Sequence, residues 1–91
     1  MKNFLNTTIT TFQGQVVEVM LSGNAANVML LDGANYQHYR NGRPFRYYGG
    51  HFTRSPVRIA PPHPGLWHVV VDLGGAQGRV NASVRLVGAG A

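Results

Sequence analysis

Residues 66–87 read LWHVVVDLGGAQGRVNASVRLV, and the two halves of this stretch bury differently. In the first half, Trp67, Val69, Val71 and Leu73 share one side of an extended chain, with His68 and Asp72 on the other. This marks a well-buried strand. In the second half, Val80, Ala82, Val84 and Leu86 alternate with Asn81, Ser83 and Arg85, as in a strand with one face inward and one in water. Glycines between them, Gly74, Gly75 and Gly78, make a loop.

The same period of two recurs upstream. Phe4 to Phe12 is rich in threonine with Phe, Leu and Ile interspersed, which predicts a first strand at a sheet edge. Gly14 breaks it, and Val17, Val19 and Leu21 then share a side opposite Glu18. After a Ser22-Gly23-Asn24 turn, Asn27 to Asp32 is a short apolar run with both faces suited to burial. Phe45 to Arg54 has strand composition, but Gly49-Gly50 in its middle predicts a bulge, a bend or a close backbone approach. Pro56 assigns Val57 to Ala60 to an edge or a strand start. Pro61 to Gly65 is a rigid connection ending in a turn.

Between Gly33 and Gly42 two patterns compete. Ala34 to Arg40 suits a short helical crossing, or the first arm of a hairpin that turns at Asn41-Gly42; the crossing is preferred. The expected fold is therefore all-β: a small antiparallel sandwich or partly open barrel of seven or eight strands, with at most one short helical turn. At 91 residues the chain makes one domain, here residues 1–87, with residues 88–91 as a mobile tail of Gly and Ala.

Composition narrows function mainly by exclusion. There is no cysteine, which removes disulfides, thiolate nucleophiles and Cys-based metal sites. No run approaches a signal peptide or a membrane span, so the chain is expected to be soluble and cytoplasmic, without membrane contact. Eight basic residues against three acids give a net charge of +5. That suits anionic partners without identifying one.

Function is concentrated in Tyr36 to Arg58, which holds six of the nine aromatic residues and five of the eight Lys and Arg. No acid lies between Asp32 and Asp72, so these arginines must find partners across the fold, in solvent or on a ligand. Guanidinium groups donate in a planar fork, and aromatic faces stack on rings or on guanidinium itself. The candidate ligand-binding set is Arg40, Arg43, Arg46, Tyr47, Tyr48, His51 and Arg54. Set against this is a structural reading, in which the rings anchor the segment to the core and the Arg stems cover them.

Other chemistry is weakly supported. His38, His51, His63 and His68 show no compact ligand spacing, and His68 and Asp72 stand roughly 13 Å apart along an extended chain, so neither a metal nor a cofactor is expected. Ser55, His51 and Asp72 could supply a nucleophile, a base and an orienting group, but nothing in their spacing favours it, and the chain is read as non-enzymatic. Nucleic acid ranks below other partners because no binding motif is present and Lys2, Arg79 and Arg85 fall outside the basic stretch.

Five segments together carry a family pattern: LSGNAANVMLLD (21–32), NYQHYRNGR (35–43), RYYGGHFTRSPVRI (46–59), PGLWHVVVDLGG (64–75) and GRVNASVRL (78–86). From Phe4 to Val87 the chain resembles the small bacterial domains grouped as domain-of-unknown-function family 1883. The resemblance implies a compact β-domain that occurs alone or ahead of a TIR domain, and so a sensing or adaptor role. It carries no catalytic or ligand-binding residue over, and no TIR segment stands in this sequence. The function expected is recognition of an anionic or polar ligand, or of a protein partner, through Tyr36 to Arg54. The alternatives are a structural or homodimerising module and a weak nucleic-acid binder.

Overall fold

A computed structural model describes residues 4–74 and 78–88 and places the two halves of the opening stretch in different sheets. The strands are β1 (Phe4–Thr11), β2 (Gln15–Gly23), β3 (Ala26–Leu31), β4 (Tyr48–Phe52), β5 (Val57–Ile59), β6 (Gly65–Asp72) and β7 (Val80–Gly88), with one helix, α1 (Gly33–Arg40). One antiparallel sheet has the order β1-β6-β3-β4, the other β5-β2-β7. The sheets face one another without closing, so the fold is an all-β sandwich and the barrel alternative is set aside.

Between the sheets lies the main core, built from Val17, Val19, Val28, Leu30, Trp67, Val69 and Val71 with Val57 and Ile59. Val17, Val19, Trp67, Val69 and Val71 are inward positions that the period of two assigned. On β7 the alternation holds from Val80 to Leu86, and Pro56 directly precedes the three-residue edge strand β5.

The outer face of the four-stranded sheet carries a second core. Met29, Leu31 and Val70 point away from the first core and are covered by Tyr36 and Tyr39 of α1, with Phe4 and Phe45 packed alongside. This explains the uninterrupted apolar runs on β3 and β6, whose two faces both need cover. Burying Val70 completely contributes roughly 1.5–3 kcal/mol relative to leaving it exposed.

Local chemistry fixes both ends of α1. The Asp32 carboxylate caps it, accepting from the Asn35 backbone N–H at 2.8 Å. At the other end Gly42 adopts φ +70°, and the Gly42 and Arg43 backbone N–H groups donate to the carbonyls of Tyr39 and His38. That pair of bonds is a Schellman stop, so Asn41-Gly42 ends a helix rather than turning a hairpin. Eight residues make about two turns, the short helical crossing preferred from the sequence.

One expectation is revised and another narrowed. The strand foreseen over Phe45 to Arg54 shrinks to Tyr48–Phe52, because the preceding residues pack against α1 instead. Gly49 and Gly50 pair one to one with Met29 and Val28, without an inserted residue. Of the three readings the close backbone approach is the one met: Gly49 has φ +139°, and a Cβ there would lie 2.0 Å from the Val28 carbonyl oxygen. At the C-terminus Gly88 pairs with Gln15, and the remainder of the expected tail, residues 89–91, lies outside the described residues. Among the described residues no helix is long and apolar enough to cross a membrane.

Candidate functional site

Tyr36 and Tyr39, three residues apart, fall on one face of α1 and land on β6. Tyr36 stacks flat on His68, with ring centres 4.1 Å apart and planes 6° from parallel. This packing withdraws His68 from water and lowers its pKa, with Asp32 opposing the shift. Tyr39 reaches further along the strand, and its hydroxyl donates to Asp72 Oδ2. Burial, followed by that hydrogen bond to the carboxylate, pushes the Tyr39 pKa far up, so the hydroxyl stays a donor.

Asp72 is 4 % exposed and anchors a polar network. Its Oδ1 accepts from Asn27 Nδ2 at 2.8 Å, across the β3/β6 register, and from the Gly74 backbone N–H at 3.0 Å. Because the Asn27 amide nitrogen points at the carboxylate, Asn27 Oδ1 faces His51 Nδ1, 3.2 Å away. That oxygen can only accept, so Nδ1 of His51 carries the proton.

Beside this network lies a cavity of about 210 Å³. Its walls are Tyr39, Phe45 and Tyr47, and its floor is Asn27, Met29 and Asp72. Phe45 meets Tyr39 edge-on at 5.2 Å and Tyr47 at 5.6 Å, giving a continuous aromatic wall. The crossing that carries Phe45 and Tyr47 is tied back to the helix by the Arg46 backbone N–H, which donates to Asn35 Oδ1 at 2.8 Å.

The residues singled out in the sequence are distributed among several places. Tyr47 lines the cavity, and His51 joins its floor through Asn27. Arg43 and Arg46 are exposed on the same crossing. Arg40 lies over the Tyr36 ring, 5.7 Å from its centre. Tyr48 sits on the opposite side of β4, edge-on to Trp67 at 6.0 Å. Arg54 lies beyond the far end of β4, next to the turn at Gly23 and Asn24. Asn27, Tyr39, Phe45 and Asp72 were not selected from the sequence. A hint was available for Asp72, an acid closing a strand whose preceding residues are apolar.

The arginine outside the candidate set, Arg58, finds the acid that the sequence could not assign to it. Glu18 on β2 sits between Arg58 on β5 and Arg85 on β7, directly opposite both in register, and accepts from each Nε. These hydrogen bonds, from Arg85 and then Arg58, hold the Glu18 carboxyl below the usual glutamate range. Ser55 is engaged elsewhere: its Oγ accepts from the Leu21 backbone N–H at 2.8 Å, on the other sheet from Asp72. The set of Ser55, His51 and Asp72 is therefore not assembled.

Residues 6–90 match the family described as Domain of unknown function (DUF1883). The chain belongs to that family. No curated protein and no solved structure matches it. The description names no activity, and what this DUF1883 domain binds has to be argued from the cavity itself.

Proposed function

We propose that this DUF1883 domain is a non-enzymatic recognition module that takes a hydroxyl-bearing ligand, one sugar ring or a group of that size, in the cavity beside α1. The observation that carries the reading is the aromatic-walled cavity floored by a buried carboxylate and its amide partner. Aromatic faces stack on the C–H faces of a sugar, and acceptors and amides at the floor suit hydroxyl groups. A volume of about 210 Å³ falls below the usual range for larger ligands, which suits a single ring.

Arg43 and Arg46 give the same surface a positive rim. They favour ligands that carry an acidic group outside the cavity, reconciling the basic stretch with the acidic floor. Aromatic rings and a fixed amide hold a ligand without performing chemistry on it. Among the described side-chain hydrogen bonds no serine or threonine nucleophile is paired with His51 at the floor's edge or with Asp72 beneath it.

A panel of neutral and acidic monosaccharides, screened by saturation-transfer NMR, tests this. Tyr47→Ala should abolish binding of every hit with little change in melting temperature, because Tyr47 is exposed. Arg43→Ala with Arg46→Ala should weaken only the acidic members. Absence of any hit, or binding that survives Tyr47→Ala, overturns the proposal.

A further inference from the structure

Four strand edges end the two sheets, and three of them carry features that discourage pairing with another chain. β5 has three residues, Pro56 before it and Arg58 within it. β7 carries Arg85. β4 has five residues and includes Gly49 at φ +139°. β1 has none of these. Its eight residues, FLNTTITT, contain no charge, no proline and no glycine, and its far side has no backbone partner among the described residues.

Exposed apolar side chains gather at this edge. Leu5 is 44 % exposed; Phe12, just past the strand, is 69 %; Leu66, opposite Thr10 on β6, is 57 %. A groove of about 340 Å³ opens at the Leu5 end of this edge, with apolar Phe4, Leu5, Leu73 and Val80 and polar Asp72 and Arg79 in its lining. Arg40, Arg43, Arg46, Arg54, Arg58 and Arg85 lie on other segments, and Arg79 lines the groove together with Asp72, so β1 itself carries no charge of either sign.

From the uncharged edge and its apolar flank we infer that β1 is a homodimerisation edge: it pairs antiparallel with β1 of a second copy, joining two four-stranded sheets into one of eight strands. Geometry restricts the register. A two-fold axis normal to the sheet keeps inward positions opposite inward positions, so it must pass through one residue pair. Centred on Thr7, it sets Leu5 against Ile9 of the second copy on the inner side, and Asn6 against Thr8 on the outer side. No like charges meet, and an apolar side chain exposed in the single chain gains an apolar neighbour.

The pairing is independent of the cavity, which lies across β6 from this edge, so it stands or fails separately from ligand binding. Sedimentation of the full chain over a dilution series should show a shift from 9.9 kDa to twice that mass. Thr7→Lys places two ammonium groups face to face at the axis, and should hold the chain at monomer mass while its melting temperature stays close to that of the monomeric wild type. Since the chain has no cysteine, Thr7→Cys should form a reducible dimer under mild oxidation, whereas Met20→Cys on the other sheet should not. Monomer mass for the wild type at every concentration overturns the inference. So does a Thr7→Lys chain that still dimerises, or equal cross-linking at positions 7 and 20. Should Thr7→Lys fail to fold, the two cysteine variants decide.

Discussion

Glu18 and Asp72 are both buried acids in the middle of β-structure, and the fold treats them in opposite ways. Glu18 is 1 % exposed and its partners are two full charges, Arg58 and Arg85, whose side chains are 63 % and 70 % exposed. Three adjacent strands bring the three residues into line, so the register alone assembles the clamp. Asp72 accepts from an amide, a phenol and a backbone N–H, drawn from β3, α1 and the turn after β6. The Glu18 clamp joins three strands of one sheet. The Asp72 contacts tie a helix to a sheet, beside a hollow that the carboxylate helps to line. The third acid, Asp32, caps that same helix.

Removing the Asp72 carboxylate should be the most damaging change to either region. Asp72→Ala removes the acceptor used by the buried Tyr39 hydroxyl and the half-buried Asn27 amide, at about 1–3 kcal/mol for each. A fall in melting temperature of more than about 8 °C is expected, since about 1 kcal/mol shifts a domain of this size by at least 4 °C. Asp72→Asn keeps an acceptor and should cost less. Tyr39→Phe comes next, at about 1–2 kcal/mol, because the ring still packs edge-on against Phe4 and Phe45. If Asp72→Ala melts like the wild type, the network is not what holds α1 in place.

Glu18→Gln should cost less than Asp72→Ala, because the two arginines can return to water when the clamp opens. Its signature is in pH. The native carboxyl titrates below the ordinary glutamate value of 4.5. The unfolded chain therefore binds the proton first as pH falls, and the stabilisation is complete above that value and lost as pH drops through the lowered native one. Melting curves of wild type and Glu18→Gln should differ at pH 7 and converge towards pH 3. A difference that persists undiminished at pH 3 would show that the clamp does not act through charge.

The comparison also marks how far the sequence is legible. Alternation along Val17 to Leu21 and Val80 to Leu86 set the inner faces of one sheet, and Pro56 set an edge, because these are properties of single strands. The apolar runs Met29 to Leu31 and Val69 to Val71 showed that both faces need burial, but not that α1 would cover the outer one. Asn41-Gly42 was ambiguous, since glycine at positive φ ends helices as well as turning hairpins. The cavity was the least accessible. Its lining joins residues 27, 39 and 72, which only register and helix placement bring together, and no local pattern encodes that. The basic stretch, conspicuous in composition, was dispersed: Arg40 covers a ring, Arg58 clamps Glu18, and Arg54 lies beyond the far end of β4.

His68 gives the smallest effect and the sharpest test of the helix-covered face. Burial under Tyr36 lowers its pKa, the largest cause being lost hydration, with the Asp32 charge opposing. A native pKa below the unfolded one means that the unfolded chain takes up the proton first as pH falls. The stacked arrangement therefore contributes fully above the ordinary histidine value of 6.5 and is weakened as pH drops through the lowered native value. His68→Phe keeps a flat ring against Tyr36 at the cost of the contact between Nδ1 and the Thr8 hydroxyl, and it cannot take up a proton. Between pH 7 and pH 5 its melting temperature should fall less steeply than that of the wild type. Parallel slopes would mean that the ring is reached by water, and that α1 lifts from β6 far more readily than its packing implies.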